Sequence, residues 1–400
     1  MSPPARFVGL DIHKEYLVAA AVNALQETVL KPQRVAIPDL AHWIESQLCE
    51  QDAVVLEMTT NTYAVHDALL GRVHSVTVVH PPHVALIVRA QVKTDRKAAL
   101  SLAQLHAAGL LVGVWIPPKQ VRDVRALVAQ RWKMVRLATI AKNRLHSALH
   151  RHHLEAPTSS LPFSPKHRDF WLNLPVSPLE RANIACDWET VQFATQQRER
   201  LEEAMAQIAA TDPRVPLLVQ LPGIGLIGAV TLLAAIGDIA RFPGARELVG
   251  YAGLGAKVHD SGNLHQSGRI TKAGRKDLRY SLVEAARIAA RTHRHWQAEF
   301  ARLEPRLGKH KATVAIARKL LVAVWHVLSK AEADRFAEPV QVACAFFAHA
   351  YRLGIENLPE GQSALQYTRQ QLDRLQIGQE VSEIPWGSKR FKLPLSGLRA

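Results

Sequence analysis

An α/β domain, then a helical arm, then a mainly helical domain is the fold class this sequence predicts. Three observations carry it. Short apolar runs alternate with helix-period segments over residues 6–112. Pro117–Pro118 break that pattern and a long helical stretch follows. From residue 216 the chain is again helix-rich, opening on "VQLPGIGLIGAVTLLAAIGDIARF".

In the first segment, "RFVGLDI" and "YLVAAAV" read as strands joined by a polar turn at His13–Glu15. "VVLEMT" (54–59) is a short buried strand, and "HSVTVVHPP" (74–82) is a strand stopped by prolines. Helices are expected near 39–49, 62–71 and 97–108. Beyond the double proline, Val124, Val128, Val135, Ala138, Leu145 and Leu149 form a heptad-like stripe. Residues 156–186 are rich in Pro and Ser. A second helix is expected over about 187–210, giving either an antiparallel arm or a dimerising coiled coil. Pro213 ends the arm. The expected domains are 1–115, 116–212, 213–330 and a C-terminal extension, 331–400, without a motif.

The composition narrows the partners. Lysine and arginine exceed the acids by 50 − 35, a net charge of +15 in 400 residues. Such a surplus points to a polyanion, most often nucleic acid. Between Lys93 and Arg151 twelve Lys/Arg meet only two acids, Asp95 and Asp123. Mean hydropathy near zero and the want of a long apolar run argue against a membrane protein. The N-terminus lacks the layout of a secretory signal. Three scattered cysteines, in no ligand-like spacing, suit a reduced compartment. A bacterial cytoplasmic, nucleoid-associated location is expected.

Three acids stand at predicted element edges: Asp11 in "VGLDI", Glu57 in "VVLEMT" and Asp95 in "VKTDRKAAL". Singly, each reads as a turn or cap residue. Together they match the way distant carboxylates converge on Mg2+ for phosphoryl transfer. His146, His150 and His153 share a helical spacing but have no carboxylate or cysteine nearby, and read as an exposed basic face.

The segments "FVGLDIHKE", "VVLEMTTNTY", "VTVVHPPHV", "QVKTDRKAALSLAQL" and "LPGIGLIGAVTLLAAIGD" through "RITKAGRKDLRYSLVEAA" occur in order. In these the chain resembles the DEDD-type insertion-sequence transposases and the related Piv invertase, over about residues 6–110 and 216–290. The resemblance implies an RNase H-like, RuvC-related first domain, with Asp11, Glu57 and Asp95 as metal-site acids. It also exposes a departure. The family's fourth acid follows the third by three residues, and Ala98 stands there. No other carboxylate occurs between Asp95 and Asp123, so a three-acid site is expected.

The stretch "HDSGNLHQSGRITKAGRKDLR" (259–279) carries the second candidate. On its residues alone, "DSGN" reads as a turn. The resemblance implies that Ser261, ahead of Gly262, is the nucleophile that attacks DNA phosphate, with Ser267 as the competing serine. A serine hydroxyl needs a base or a metal to attack at neutral pH. The first domain's acids are expected to supply that metal, so that the two domains share one composite site. Arg269, Lys272, Arg275, Lys276 and Arg279 could neutralise phosphate. Gly223 and Gly225 in "LPGIG" resemble a helix-hairpin-helix turn whose backbone N–H groups face phosphate, and a tight packing turn serves equally well.

The leading expectation is therefore a DNA recombinase of a mobile element. It would act on donor and target DNA as a homo-oligomer, a dimer or tetramer. A structured noncoding guide RNA is implied by the resemblance alone. The alternatives are a RuvC-like Mg2+-dependent junction nuclease that uses water, and a nucleic-acid-binding protein with catalysis weakened at Ala98.

Overall fold

The computed structural model describes residues 3–87, 94–261, 264–359 and 361–398, and the side chains of 86–87 and 259–267 lie outside that description. The chain divides into two compact units, 1–117 and 118–400, at the double proline.

The first unit is a five-stranded sheet with helices. Its strands are β1 (Arg6–Ile12), β2 (Tyr16–Asn23), β3 (Thr28–Ala36), β4 (Asp52–Glu57) and β5 (Ser75–Val79). Its helices are α1 (Leu40–Gln47), α2 (Thr62–Leu69), α3 (Pro81–Ile87) and α4 (Asp95–Ala107). The strand order is β3-β2-β1-β4-β5. β1, β2 and β3 form an antiparallel meander, while β4 and β5 run parallel to β1. The reading from sequence missed β3, whose largely exposed residues show no clean alternation.

Alternation sorts the sheet's two faces. Val8, Leu10, Ile12, Val54 and Leu56 pack on one side with Trp43, Ile44, Val65 and Leu69. Gly9 and Val55 face the other, towards α4. A Cβ on Gly9 would lie 2.1 Å from the Ala99 carbonyl oxygen and 2.6 Å from the Ala103 nitrogen. The missing side chain thus lets the α4 backbone lie directly on β1.

The second unit is mostly helical. α5 (Lys119–Arg151) and α7 (Pro178–Thr211) pair as an antiparallel hairpin, with α6 (Arg168–Leu172) between them. Arg131–Glu202 (2.6 Å), Arg144–Asp187 (2.5 Å) and Arg151–Glu180 cross the pair as ion pairs. α7 starts earlier than the sequence reading had it, because Ser177 caps it and Pro178 takes the first position. The Pro/Ser-rich insert folds over the hairpin's end. Trp171 is fully buried, stacked near Phe163 and Trp188, and donates to the Pro162 carbonyl.

Of the expected apolar stripe, Val128, Ala138, Leu145 and Leu149 are buried. The hairpin therefore uses the stripe within one chain, so it gives no argument for a dimerising coiled coil.

The remaining elements are α8 (Arg214–Val219), α9 (Leu226–Ile236), α10 (Ala245–Tyr251), the hairpin β6 (Ala256–Ser261) and β7 (Leu264–Ile270), α11 (Lys276–Thr292), α12 (Arg294–Leu307), α13 (Lys309–Lys330), α14 (Pro339–Leu353), α15 (Ala364–Arg374), and β8 (Glu383–Trp386) paired with β9 (Lys389–Lys392). One hydrophobic core runs from Val128 and Met205 through α9, α11 and α13 to Phe346, Leu372 and Leu393. The arm's base, the serine-bearing segment and the C-terminal extension share it. α13 is long and apolar enough to cross a membrane by composition, but Ile316, Leu320, Val324 and Val327 belong to this core. The extension is also tied by Arg369, which donates to the carbonyls of Pro394 (2.7 Å), Gly378 (2.8 Å) and Val381.

Candidate functional site

The acids sit where the sheet and α4 meet. Asp11 is the last polar position of β1, on the Gly9 face by alternation. Asp95 opens α4, and Thr94 caps that helix by accepting from the Lys97 N–H. A carboxylate in the first turn also interacts favourably with the helix dipole. Because Gly9 brings α4 down onto β1, Asp95 arrives beside Asp11. Between them stands His13, whose Nε2 is 3.5 Å from Asp11 Oδ2 and 3.3 Å from Asp95 Oδ2.

A polar frame fixes this group. Tyr16 donates to Asp95 Oδ2 at 2.9 Å and stacks on the His13 ring at 4.6 Å. That hydrogen bond to the carboxylate holds the Tyr16 phenol above its ordinary pKa. Arg34 lies over the Tyr16 ring, 3.6 Å from its centroid. Asn61 donates to the His13 carbonyl at 2.9 Å, tying the β1–β2 turn to the segment after β4.

Glu57 ends β4. Leu10 and Leu56 are register partners, so Asp11 and Glu57 take the next positions on strands roughly 4.8 Å apart. Both lie on the α4 face. Yet among the described residues the donor atoms within 4.8 Å of one another come from Asp11, His13 and Asp95, and Glu57 is outside that group. His13 is the member the sequence reading missed. Its signal was present in "DIHKE", two residues past Asp11. Ala98 lies one helical turn after Asp95 on α4, and offers only a methyl group there.

Two carboxylates and an imidazole suit a divalent cation. In octahedral geometry with metal–oxygen bonds near 2.0–2.1 Å, adjacent donors stand about 3 Å apart. The 3.3 and 3.5 Å separations are close to that.

In the second unit Ser261 ends β6 and pairs with Leu264, so it is a strand end rather than a loop residue. Gly262 and the Ser261 side chain lie outside the described residues. Ser267 sits in β7 opposite Val258. The five cations divide. Arg269, Lys272 and Lys276 are exposed. Arg275 pairs with Asp277 at 2.5 Å, and Arg279 donates to the Ala252 carbonyl at 2.8 Å.

The "LPGIG" turn serves packing in part. Gly223 has φ +81°, and a Cβ there would lie 2.4 Å from the Ala285 carbonyl oxygen. Gly225 caps α9. It borders a cleft of about 370 Å³ shared with His293, Glu338, His349 and Arg352. His349 is buried, and neither ring nitrogen has a hydrogen-bond partner among the described residues. Burial, helped by Arg352, lowers its pKa to about 4.

An α/β sheet that gathers metal-type donors, in a chain of strongly basic balance, fits the class of nucleic-acid-acting proteins that use a divalent ion. Comparison with known proteins makes this specific. Residues 8–154 match the DEDD transposase model of the IS110 type, and residues 215–302 match the transposase IS116/IS110/IS902 family. The chain belongs to this family of insertion-sequence transposases. It is similar to the transposase for insertion sequence element IS1111A of Coxiella burnetii, 23% identical over 82% of this chain and 91% of that protein. The pilin gene-inverting protein of Moraxella bovis is 26% identical over 80% of this chain and 95% of its own length. The putative transposase y4qE of Sinorhizobium fredii is 29% identical over 62% of this chain. That match spans 58% of y4qE, under two thirds of its length.

Proposed function

We propose that this chain cuts and rejoins DNA strands as the recombinase of its insertion sequence, with Ser261 as nucleophile. The observation that carries the reading is the convergence of Asp11 and Asp95 at the β1 end. Glu57 on the neighbouring strand faces the same side of the sheet, outside the tight donor group, and the strand order of the first unit supports an RNase H-like fold. A bound Mg2+ would supply charge stabilisation at the reacting phosphate.

In the covalent step, Ser261 Oγ forms a bond to phosphorus and loses its proton to solvent. The P–O bond to the departing strand breaks, and that oxygen takes up a proton. A DNA hydroxyl then attacks the phosphoserine and frees Ser261, so bond number and type are conserved and no external energy is needed. Arg269, Lys272 and Lys276 neutralise backbone charge. Arg275 and Arg279 hold the segment in shape and offer their remaining N–H groups. Gly223 and Gly225 present the α9 N-terminus to phosphate.

The +15 charge supports a second polyanion, a structured guide RNA of the element. Exchanging strands between two duplexes needs more than one nucleophile, which supports a homo-oligomer. The second reading, a nucleic-acid binder with weak catalysis, is favoured by Ala98.

The test is to incubate the chain with the element's junction DNA, its flanking RNA and Mg2+, and to look for a protein–DNA adduct. Ser261→Ala is expected to abolish the adduct and leave nucleic-acid binding nearly intact, while Ser267→Ala spares it. A nucleotide mapped to Ser267, or normal cleavage by Ser261→Ala, overturns the serine assignment. Binding without cleavage even in Ala98→Asp selects the second reading.

A further inference from the structure

We propose that His13 is a nitrogen ligand of the divalent ion and takes the place of the acid missing at position 98. The inference rests on the metal-site reading above and adds a donor to it. Three observations point to His13. Its Nε2 lies 3.3 and 3.5 Å from one oxygen of each carboxylate, a spacing that suits cis donors on one cation. That nitrogen is buried and has no hydrogen-bond partner among the described residues. The ring is also held in place. Tyr16 stacks on it, Asn61 binds its carbonyl, and its own N–H donates to the Tyr16 carbonyl at 2.8 Å.

Position 98 explains why a further donor matters. Asp95 and Ala98 occupy one face of α4, so the helix can offer one carboxylate where two would otherwise stand. Removing an oxygen ligand leaves the ion short of charge and of a protein donor. An imidazole restores the donor but not the charge. It also changes the preference of the site. Mg2+ favours oxygen donors, whereas Mn2+, Co2+ and Zn2+ accept imidazole readily. The site is therefore expected to take Mn2+, the hard-ligand member of that group, at least as readily as Mg2+.

The test uses the untagged full chain and Mn2+ alone, without nucleic acid. Pulsed electron paramagnetic resonance detects the 14N nucleus of a coordinated imidazole. The wild type is expected to show that coupling. His13→Ala is expected to lose it and to bind Mn2+ at least about tenfold more weakly, in keeping with losses of about 10–100-fold for lesser perturbations of metal sites. Its thermal melting without metal should stay close to wild type. His13→Ala with Ala98→Asp is expected to regain affinity without nitrogen coupling. Mn2+ bound without 14N coupling in the wild type, or coupling retained in His13→Ala, overturns the ligand while leaving the acid site standing. No Mn2+ binding by the wild type, with none lost in Asp95→Asn, overturns the metal site itself and this inference with it.

Discussion

The polar group at the end of β1 and the basic segment after β7 look alike in sequence, each a cluster of charged residues beside a glycine. They differ in how the fold uses them. At β1, Asp11 and His13 meet Asp95 from the start of α4 and turn towards one point, with Tyr16 and Asn61 as supports. From the end of β7 onwards, neighbouring cations part company. Arg275 and Arg279 bind Asp277 and the Ala252 carbonyl, while Arg269, Lys272 and Lys276 stay exposed. Charge density along a chain therefore counts candidates, and only the fold separates those that hold the protein from those open to a partner. The same holds on α5, where Arg131, Arg144 and Arg151 pair with acids of α7.

The largest effect should fall on the convergent group. Asp11→Asn or Asp95→Asn is expected to lower strand cleavage by about a thousandfold or more, since metal charge stabilisation is worth several kcal/mol. Mn2+ titration should show the loss directly. Nucleic-acid affinity at fixed salt should stay near wild type. If either variant weakens binding as much as removing an exposed cation does, the division between the two regions is broken.

Burial in the second unit gives a pH test. The His349 pKa falls from 6.5 to about 4, so the native state resists protonation while the unfolded chain accepts it. Its contribution is fully present above pH 6.5 and is lost as pH falls towards 4. The shift of about 2.5 units corresponds to at most about 3.5 kcal/mol. Denaturant melts of wild type and His349→Phe should separate between pH 7 and 4, the wild type losing stability that the variant keeps. Parallel curves would show that His349 does not drive the acid limb.

A smaller effect is expected from Gly9→Ala. The added methyl meets the α4 backbone, which must move away. Overpacking of this kind costs about 1–3 kcal/mol. Because α4 carries Asp95, Mn2+ affinity should fall along with the melting temperature. A stable variant with normal Mn2+ binding would mean that Gly9 does not set the Asp11–Asp95 approach.

Much of this architecture was legible beforehand. β1, β2, β4 and β5, the arm's two helices and the break at Pro117–Pro118 all left clear periodic or breaker signals. Asp11 and Asp95 were legible only as members of a set with Glu57, since each alone reads as a turn or cap residue. β3 was not, since Thr28–Ala36 is mostly exposed and contains Pro32 and charged residues. His13 stood two residues past Asp11, but a lone histidine in a turn does not by itself read as a ligand. Only the approach of α4 reveals its neighbours, and that approach depends on an absent side chain. The C-terminal extension gave no motif, and what the fold shows of it is packing, with Arg369 bonding to carbonyls that sequence cannot place.

The smallest effects should come from single cations, and they test the opening contrast most directly. Lys276→Ala removes an exposed charge near the start of α11. It should leave the melt unchanged, weaken DNA binding modestly, and lower the slope of log K against log salt by about 1. Arg279→Ala removes a half-buried guanidinium and leaves the Ala252 carbonyl without that donor. It should cost about 1–3 kcal/mol of stability, with a salt slope closer to wild type than that of Lys276→Ala. The two variants differ by one charge each from the parent, so net charge cannot explain a difference between them. Melting curves and binding isotherms at three salt concentrations would decide the matter. Equal stability losses, or equal changes of slope, would mean that the fold does not sort these two cations as their contacts indicate.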